Sequence, residues 1–497
     1  MEKSHSHFII PKRWIQMVVA IVVLFALVVV YFVWQFTRDV PVAYDNIEDH
    51  FKYGSTGGER VMGFPYWIWV AMPHICSLPG GYQSLGMIFE NDGEGKPKDL
   101  PVGVSKRRHM GLDRVFLNCA VCHTSTVRAS AEAKPQVISG MPANTFDLMG
   151  FEKFFFSCGK DEKFTPERII PEIQRLGGDL NFIERKVIYP LAIYLTQDRI
   201  RLLAGRFKFI WKQDDWGRGR VDTFNSAKAI FNYDWEKTPK QELIGAVDFP
   251  SIWNQQPRKG MQLHWDGNNT KVEERNLSAA FGTGANPPTI DHEAIGRIED
   301  WLLTFKPPPY PKEKINVALA EKGAPIYEQY CTSCHGANGQ DFTGEFVGKV
   351  VPIEDIGTDR GRLDSYTFEL AANQGTLYAG YDEHRFKNFR KTFGYANMPL
   401  DGIWLRAPYL HNGSVPTLKD LLEPAARRPQ TFYRGNDLYD WEKIGFVSSV
   451  AEEEGRKYFK FDTSVPGNSN QGHEGERYGT ELPTDQKAAL IEYLKTF

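Results

Sequence analysis

Residues 119–123 are Cys-Ala-Val-Cys-His and residues 331–335 are Cys-Thr-Ser-Cys-His. Two cysteines separated by two residues can bring their sulfurs to the vinyl groups of one haem, and the histidine that follows then falls beneath the iron as proximal ligand. A chain with two such motifs has to enclose two porphyrins, and this constrains its fold more than any other feature. With six cysteines and 12 histidines in 497 residues, chance would supply about 0.002 copies of the motif, so coincidence is excluded. The cofactor expected is two covalently bound haem c groups, on Cys119 and Cys122 with His123 as iron ligand, and on Cys331 and Cys334 with His335. A zinc site or a thiol redox motif explains less. Zinc does not need a histidine after both pairs, and a thioredoxin-like motif needs a βαβ context that the sequence lacks. Cys76 and Cys158 remain, either as two buried thiols or, in an oxidising compartment, as a disulfide with each other.

Met17 to Trp34 is an uninterrupted apolar stretch without charge, about long enough to cross a hydrocarbon core as one helix. Lys3, Lys12 and Arg13 precede it, and no small-residue cleavage pattern follows in Gln35-Phe36-Thr37-Arg38-Asp39. This predicts an uncleaved anchor over 14–36 with residues 1–13 as a cytoplasmic tail. The bulk of the chain would then lie in the periplasm of a bacterial-type cell, attached to the inner membrane. Covalent haem attachment across the membrane fits that placement. The near-balanced charge, 59 basic against 62 acidic residues, gives no electrostatic reason to expect nucleic acid.

Beyond the anchor, an aromatic and turn-rich stretch through Phe64-Pro65-Tyr66-Trp67 and Pro79-Gly80-Gly81 suggests loops leading to the first motif. Apolar spacings of three and four between about 165 and 210 predict a packing helix pair, and His292 to Phe305 is a further candidate helix. Lys306-Pro307-Pro308-Pro309-Tyr310-Pro311 cannot continue that helix. The boundaries expected are an N-terminal c-haem domain with insertions over 45–306, a Pro-rich linker over 307–313 and a C-terminal cytochrome c domain over 314–497. In the last, a helix from Lys314 to Tyr330 runs into the second motif and Thr484 to Phe497 closes the chain. The fold class expected is mainly α, a transmembrane helix plus two cytochrome c-like haem domains with long loops.

Function turns on the second axial ligands, because a haem held on both faces by side chains passes electrons whereas an open face can bind oxygen or peroxide. For the C-terminal haem, Met398 in Asn397-Met398-Pro399 and His411 in Ala407-Pro408-Tyr409-Leu410-His411-Asn412-Gly413-Ser414 are the candidates. The segment Pro399 to Trp404, the APYLHNGS run, the upstream CTSCHG and Gly467-Asn468-Ser469-Asn470-Gln471-Gly472-His473 downstream resemble the di-haem cytochrome c peroxidase superfamily, most closely its rubber-oxygenase-like branch. The resemblance implies that His411 is the distal ligand of an electron-relaying C-terminal haem. Met398 departs from the basic residue expected there and is the alternative ligand. The peroxidase family proper has a distal histidine just after its first motif, whereas Thr124 to Gly140 contains none. The resemblance therefore implies an open N-terminal haem, with His109, His264 or His74 as possible returning ligands. Trp253, His264 and Trp265, near Asp266, Asn268 and Asn269, are candidates for the distal pocket or the space between the haems, or for simple packing against porphyrin.

The activity this implies is haem-dependent oxidoreduction, peroxide reduction or oxygen activation toward an organic substrate at the N-terminal haem. The expected partner is a small redox protein or a membrane redox complex. The alternative is a non-enzymatic electron-transfer cytochrome serving such a complex.

Overall fold

The computed structural model describes residues 11–497; most of the expected cytoplasmic tail lies outside the described residues. The apolar run forms one 26-residue helix, Lys12–Thr37, about 39 Å long. None of its most apolar 18-residue window is buried, and that window has a mean hydropathy of 3.0. It is long and apolar enough to cross a membrane; a signal sequence at this end of a chain has the same features.

The expectation of a mainly α chain is corrected. Helices make up 43% and strands 12% of the structure, and the strands form one four-stranded and six two-stranded sheets among the described residues. They escape a periodicity reading because most are two to four residues long. The two longest, Val104–His109 and Leu112–Leu117, carry charged side chains such as Lys106, Arg107, Arg108 and Arg114 where an apolar alternation would be sought. They form an antiparallel hairpin in the stretch expected to be loops. Phe64–Pro65 extends it on one side and Asp39–Pro41, directly after the apolar helix, on the other. Val104 and Val115 are fully buried on this sheet. Arg107, also buried, pairs with Asp39 at 2.9 Å and Asp291 at 2.7 Å, fastening the exit of the apolar helix to the N-cap of helix His292–Thr304.

Helices Tyr66–Ile75, Leu148–Cys158, Pro166–Arg175 and Tyr189–Arg206 share an aromatic core with this sheet through Phe64, Trp69, Tyr82, Phe151 and Phe155. Cys76 and Cys158 form a disulfide with Cα atoms 5.3 Å apart. In the C-terminal region, helix Val317–Tyr330 crosses helix Thr484–Leu494. A Cβ at Gly323 would lie 2.0 Å from the Ala489 carbonyl oxygen, so the crossing requires glycine there. Tyr327 packs on Tyr493 and Phe497.

The proline-rich segment is held down: Trp404 Nε1 donates to the Pro308 carbonyl at 3.0 Å and Tyr310 packs on Trp404 and Trp441. Four largely buried arginine–aspartate pairs join the chain before it to the chain after it: Arg128–Asp437, Arg258–Asp401, Arg362–Asp266 and Arg434–Asp248. Removing one partner of such a pair leaves an uncompensated charge, at about 3–5 kcal/mol.

Candidate functional site

The first motif starts in a short turn, Cys119–Val121, capped by Asn118, whose side-chain oxygen accepts the Ala120 N–H. The turn brings His123 under the Pro250 carbonyl, to which Nδ1 donates at 2.9 Å. The second motif follows directly on helix Val317–Tyr330, and Nδ1 of His335 donates to the Met398 carbonyl at 2.8 Å. In both cases the backbone carbonyl fixes the ring and the tautomer, leaving Nε2 available to a metal. Burial keeps both rings neutral, with His123 lowered to about 4. Neutral imidazole is the form that binds iron.

The four motif cysteines are unpaired. Burial raises the Cys119 thiol to about 11 and Cys331 to about 12, the opposite of the depressed thiols of redox motifs. Among the described residues no three His, Cys, Asp or Glu side chains gather as a metal-ligand set, so four-cysteine zinc binding does not fit. Thioether attachment of haem, which asks for neither a thiolate nor a cysteine cluster, does.

Close to His335 stands His473, with ring centroids 6.3 Å apart. Two imidazoles on opposite faces of one metal, each with a metal–nitrogen bond of about 2.0–2.1 Å, have centroids about 6 Å apart, so this pair has the spacing of a bis-histidine centre. His473 is held by its backbone: its N–H donates to Ile356 at 2.8 Å and its carbonyl accepts from Arg428. Its Nδ1 is buried without a hydrogen-bond partner among the described residues. Burial and the neighbouring His335 hold it neutral, down to about 3.

His411 stacks on Tyr395 at 3.9 Å, and its carbonyl accepts the Asp248 N–H. Met398 meets the site through its backbone carbonyl, on the proximal side of His335. The sequence reading named His411 and Met398 and not His473, although it had singled out the segment that contains it. It is the one histidine between His411 and the C-terminus, a signal that could have been used.

Trp253 lies three residues beyond Pro250. Its Nε1 donates to Ser139 at 2.9 Å, and its ring occupies the space that a side chain at Gly140 or Gly402 would need: a Cβ would come within 2.3 Å of the indole at Gly140 and 3.1 Å at Gly402. Gly402 follows Met398 by four residues. The indole therefore bridges the Pro250 segment that holds His123 and the Met398 segment that holds His335.

His264, at a positive φ of 64°, donates from Nδ1 to Asn268 Oδ1 at 2.6 Å. Burial lowers it to about 4, and the charge of Arg275 acts on both His264 and His123. Trp265 donates Nε1 to the Asp248 carbonyl at 2.8 Å and packs near Tyr395. The residues just after His123 form a hairpin, Thr124–Val127 with Gln136–Ser139, and Thr126 and Arg128 bind Asp437 at 2.7 Å each.

Residues 394–433 match the family described as RoxA-like, cytochrome c-like. The segment contains Met398, Trp404 and His411. The chain is 30% identical to "Uncharacterized protein y4iJ" of Sinorhizobium fredii (strain NBRC 101917 / NGR234) across 84% of its length and 82% of that protein. It is 31% identical to "Uncharacterized protein y4iM" of the same organism across 50% of its length and 64% of that protein. The cytochrome c-like match implies covalently bound haem c and a haem-based redox role. The extent of the first similarity makes this chain a member of the family of y4iJ, with a RoxA-like, cytochrome c-like segment at residues 394–433.

Proposed function

We propose that this chain is a membrane-attached c-type cytochrome with two haems of unequal roles, a reactive centre on Cys119, Cys122 and His123 and an electron relay on Cys331, Cys334, His335 and His473. The observation that carries this reading is the 6.3 Å separation of the His335 and His473 rings, against a first motif whose downstream strands are engaged with Asp437. Bound at the two motifs, haem would supply one-electron transfer at both and, at the first, a face for peroxide or oxygen. The protein's part is positional. Pro250 and Met398 fix the two proximal imidazoles, and Trp253 fills the gap between the segments that carry them. Arg275 adds positive charge near His123 and also acts on His264, whose ring is set by Asn268 and which is the candidate for handling a proton there.

The match at residues 394–433 supports kinship with the RoxA-like cytochromes. The apolar helix supports membrane attachment, and the Cys76–Cys158 disulfide supports an oxidising, extracytoplasmic setting. A small redox protein or a membrane redox complex would exchange electrons with the relay centre. The test is stopped-flow mixing of the reduced, haem-loaded chain with hydrogen peroxide or oxygen. The reading expects oxidation of the protein matched by consumption of the oxidant. No reaction with either, together with rapid oxidation by a small redox protein, would leave the non-enzymatic electron-transfer cytochrome in its place.

A further inference from the structure

Helix Tyr189–Arg206, continued backward by a π-helical turn over Glu184–Ile188, is apolar on its outer side except for exposed Asp198, which lies one turn from Tyr194, Leu195 and Leu202. Phe182, Val187, Leu191, Tyr194, Leu195 and Leu202 are 53–69% exposed, while Thr196 and Gln197 on the same helix are buried. Spacings of three, four and seven from Val187 to Leu202 put these side chains on one stripe. Six large side chains so exposed amount to several hundred Å², roughly the size at which a contiguous apolar patch marks an interaction site.

Two further observations indicate what covers it. Exposed Arg185 and Lys186 flank the stripe at one end and Arg201 and Arg206 at the other, the arrangement of a helix lying on an anionic lipid surface. The stripe also begins beside the exit of the apolar N-terminal helix. Asp39–Pro41, two residues beyond that helix, pairs with Val104–His109. At the hairpin turn a Cβ on Gly111 would lie 3.1 Å from the Phe36 ring, and Met110 beside it is exposed. The inward-facing Tyr189 feels the charges of Arg108 and Asp113 on the same hairpin, and Arg199 acts on Arg114 further along it.

We infer that the outer face of residues 182–206 is a second membrane contact, lying in the headgroup and acyl boundary of the bilayer that the N-terminal helix enters. This rests on the membrane reading of that helix. Two attachment points, one spanning and one lying flat, would restrict the rotation of the haem-bearing region and hold one face of it toward the membrane.

The test uses the full, haem-loaded chain, in which the motif cysteines are thioether-linked and Cys76 and Cys158 are paired, so that Leu191→Cys or Leu202→Cys supplies a unique thiol for an environment-sensitive fluorophore. In vesicles of phosphatidylglycerol and phosphatidylethanolamine, emission from both sites should shift to the blue and fall about twofold or more when the acyl chains are brominated. Emission unchanged from water and quenched by aqueous iodide would overturn the proposal. A blue shift without quenching by bromolipid would also overturn it, in favour of a second copy or another protein on the stripe. Alkaline extraction of the same vesicles reads the N-terminal helix separately: a chain released by alkali refutes the anchor, whatever the fluorophores report.

Discussion

The two Cys-x-x-Cys-His regions share one device and differ in what surrounds it. Each presents a proximal histidine whose Nδ1 donates to a backbone carbonyl distant in sequence, Pro250 for His123 and Met398 for His335. The second also has an imidazole across from it, delivered by a glycine- and asparagine-rich loop just before the last helix. The first is followed by a hairpin committed to binding Asp437 across the molecule. On the proposed reading the sequence motif specifies attachment and the proximal ligand, while the rest of the fold decides whether the opposite face is filled. Equal motifs do not imply equal chemistry.

The sharpest way to break this comparison is to delete one attachment site at a time. Cys119→Ser with Cys122→Ser, or Cys331→Ser with Cys334→Ser, should each remove about half of the covalent haem read by the alkaline pyridine assay. A drop to zero in either would mean that the two regions do not load independently. Next comes the filled face. His473→Gly should convert the low-spin C-terminal centre to one that binds cyanide or carbon monoxide, whereas His411→Ala should leave its spectrum low-spin. The reverse result would return the ligand to His411. Third is the joint between the regions. Arg128→Ala leaves the carboxylate of Asp437 buried without its closest charged partner and should lower stability by about 3–5 kcal/mol in denaturant titration, with both haems still attached.

A smaller effect is expected at Trp253. Trp253→Phe keeps an aromatic ring between the Pro250 and Met398 segments, and should slow electron exchange between the centres by roughly tenfold, equivalent to about 1.4 kcal/mol of barrier, in flash photolysis of the half-reduced protein. Unchanged exchange would make the indole a packing residue. A pH dependence is also expected. Burial, helped by Asp222, raises the Glu152 carboxyl to about 8, far above its value of about 4.3 in an unfolded chain. The folded state therefore holds a proton that the unfolded state has lost, and stability declines as pH rises through that interval up to about 8. Glu152→Gln should flatten this slope in melting curves recorded from pH 5 to 9.

The parts of this architecture legible in the sequence are those with local rules. The apolar run names its helix. The periodic segments before the motif at Cys331 and at the C-terminus become helices Val317–Tyr330 and Thr484–Leu494. The sheets were not legible, because a strand such as Arg220–Val221 or Tyr439–Asp440 is two residues long and exists only through its pairing. The nearness of His473 to His335 was not legible either. His411 lies in the more distinctive segment, and only the folding of residues 467–473 against Ile356 and Arg428 turns His473 toward the second motif. The functions of Pro250 and Met398 are backbone functions, which side-chain identity does not reveal.

The central claim is that one centre has both faces filled and the other does not. It is tested most directly by low-temperature electron paramagnetic resonance of the oxidised, haem-loaded chain before and after addition of cyanide. The account predicts one low-spin bis-imidazole signal that cyanide leaves unchanged beside one high-spin signal that cyanide converts to low-spin. Two low-spin signals, both indifferent to cyanide even after one-electron reduction, would contradict it.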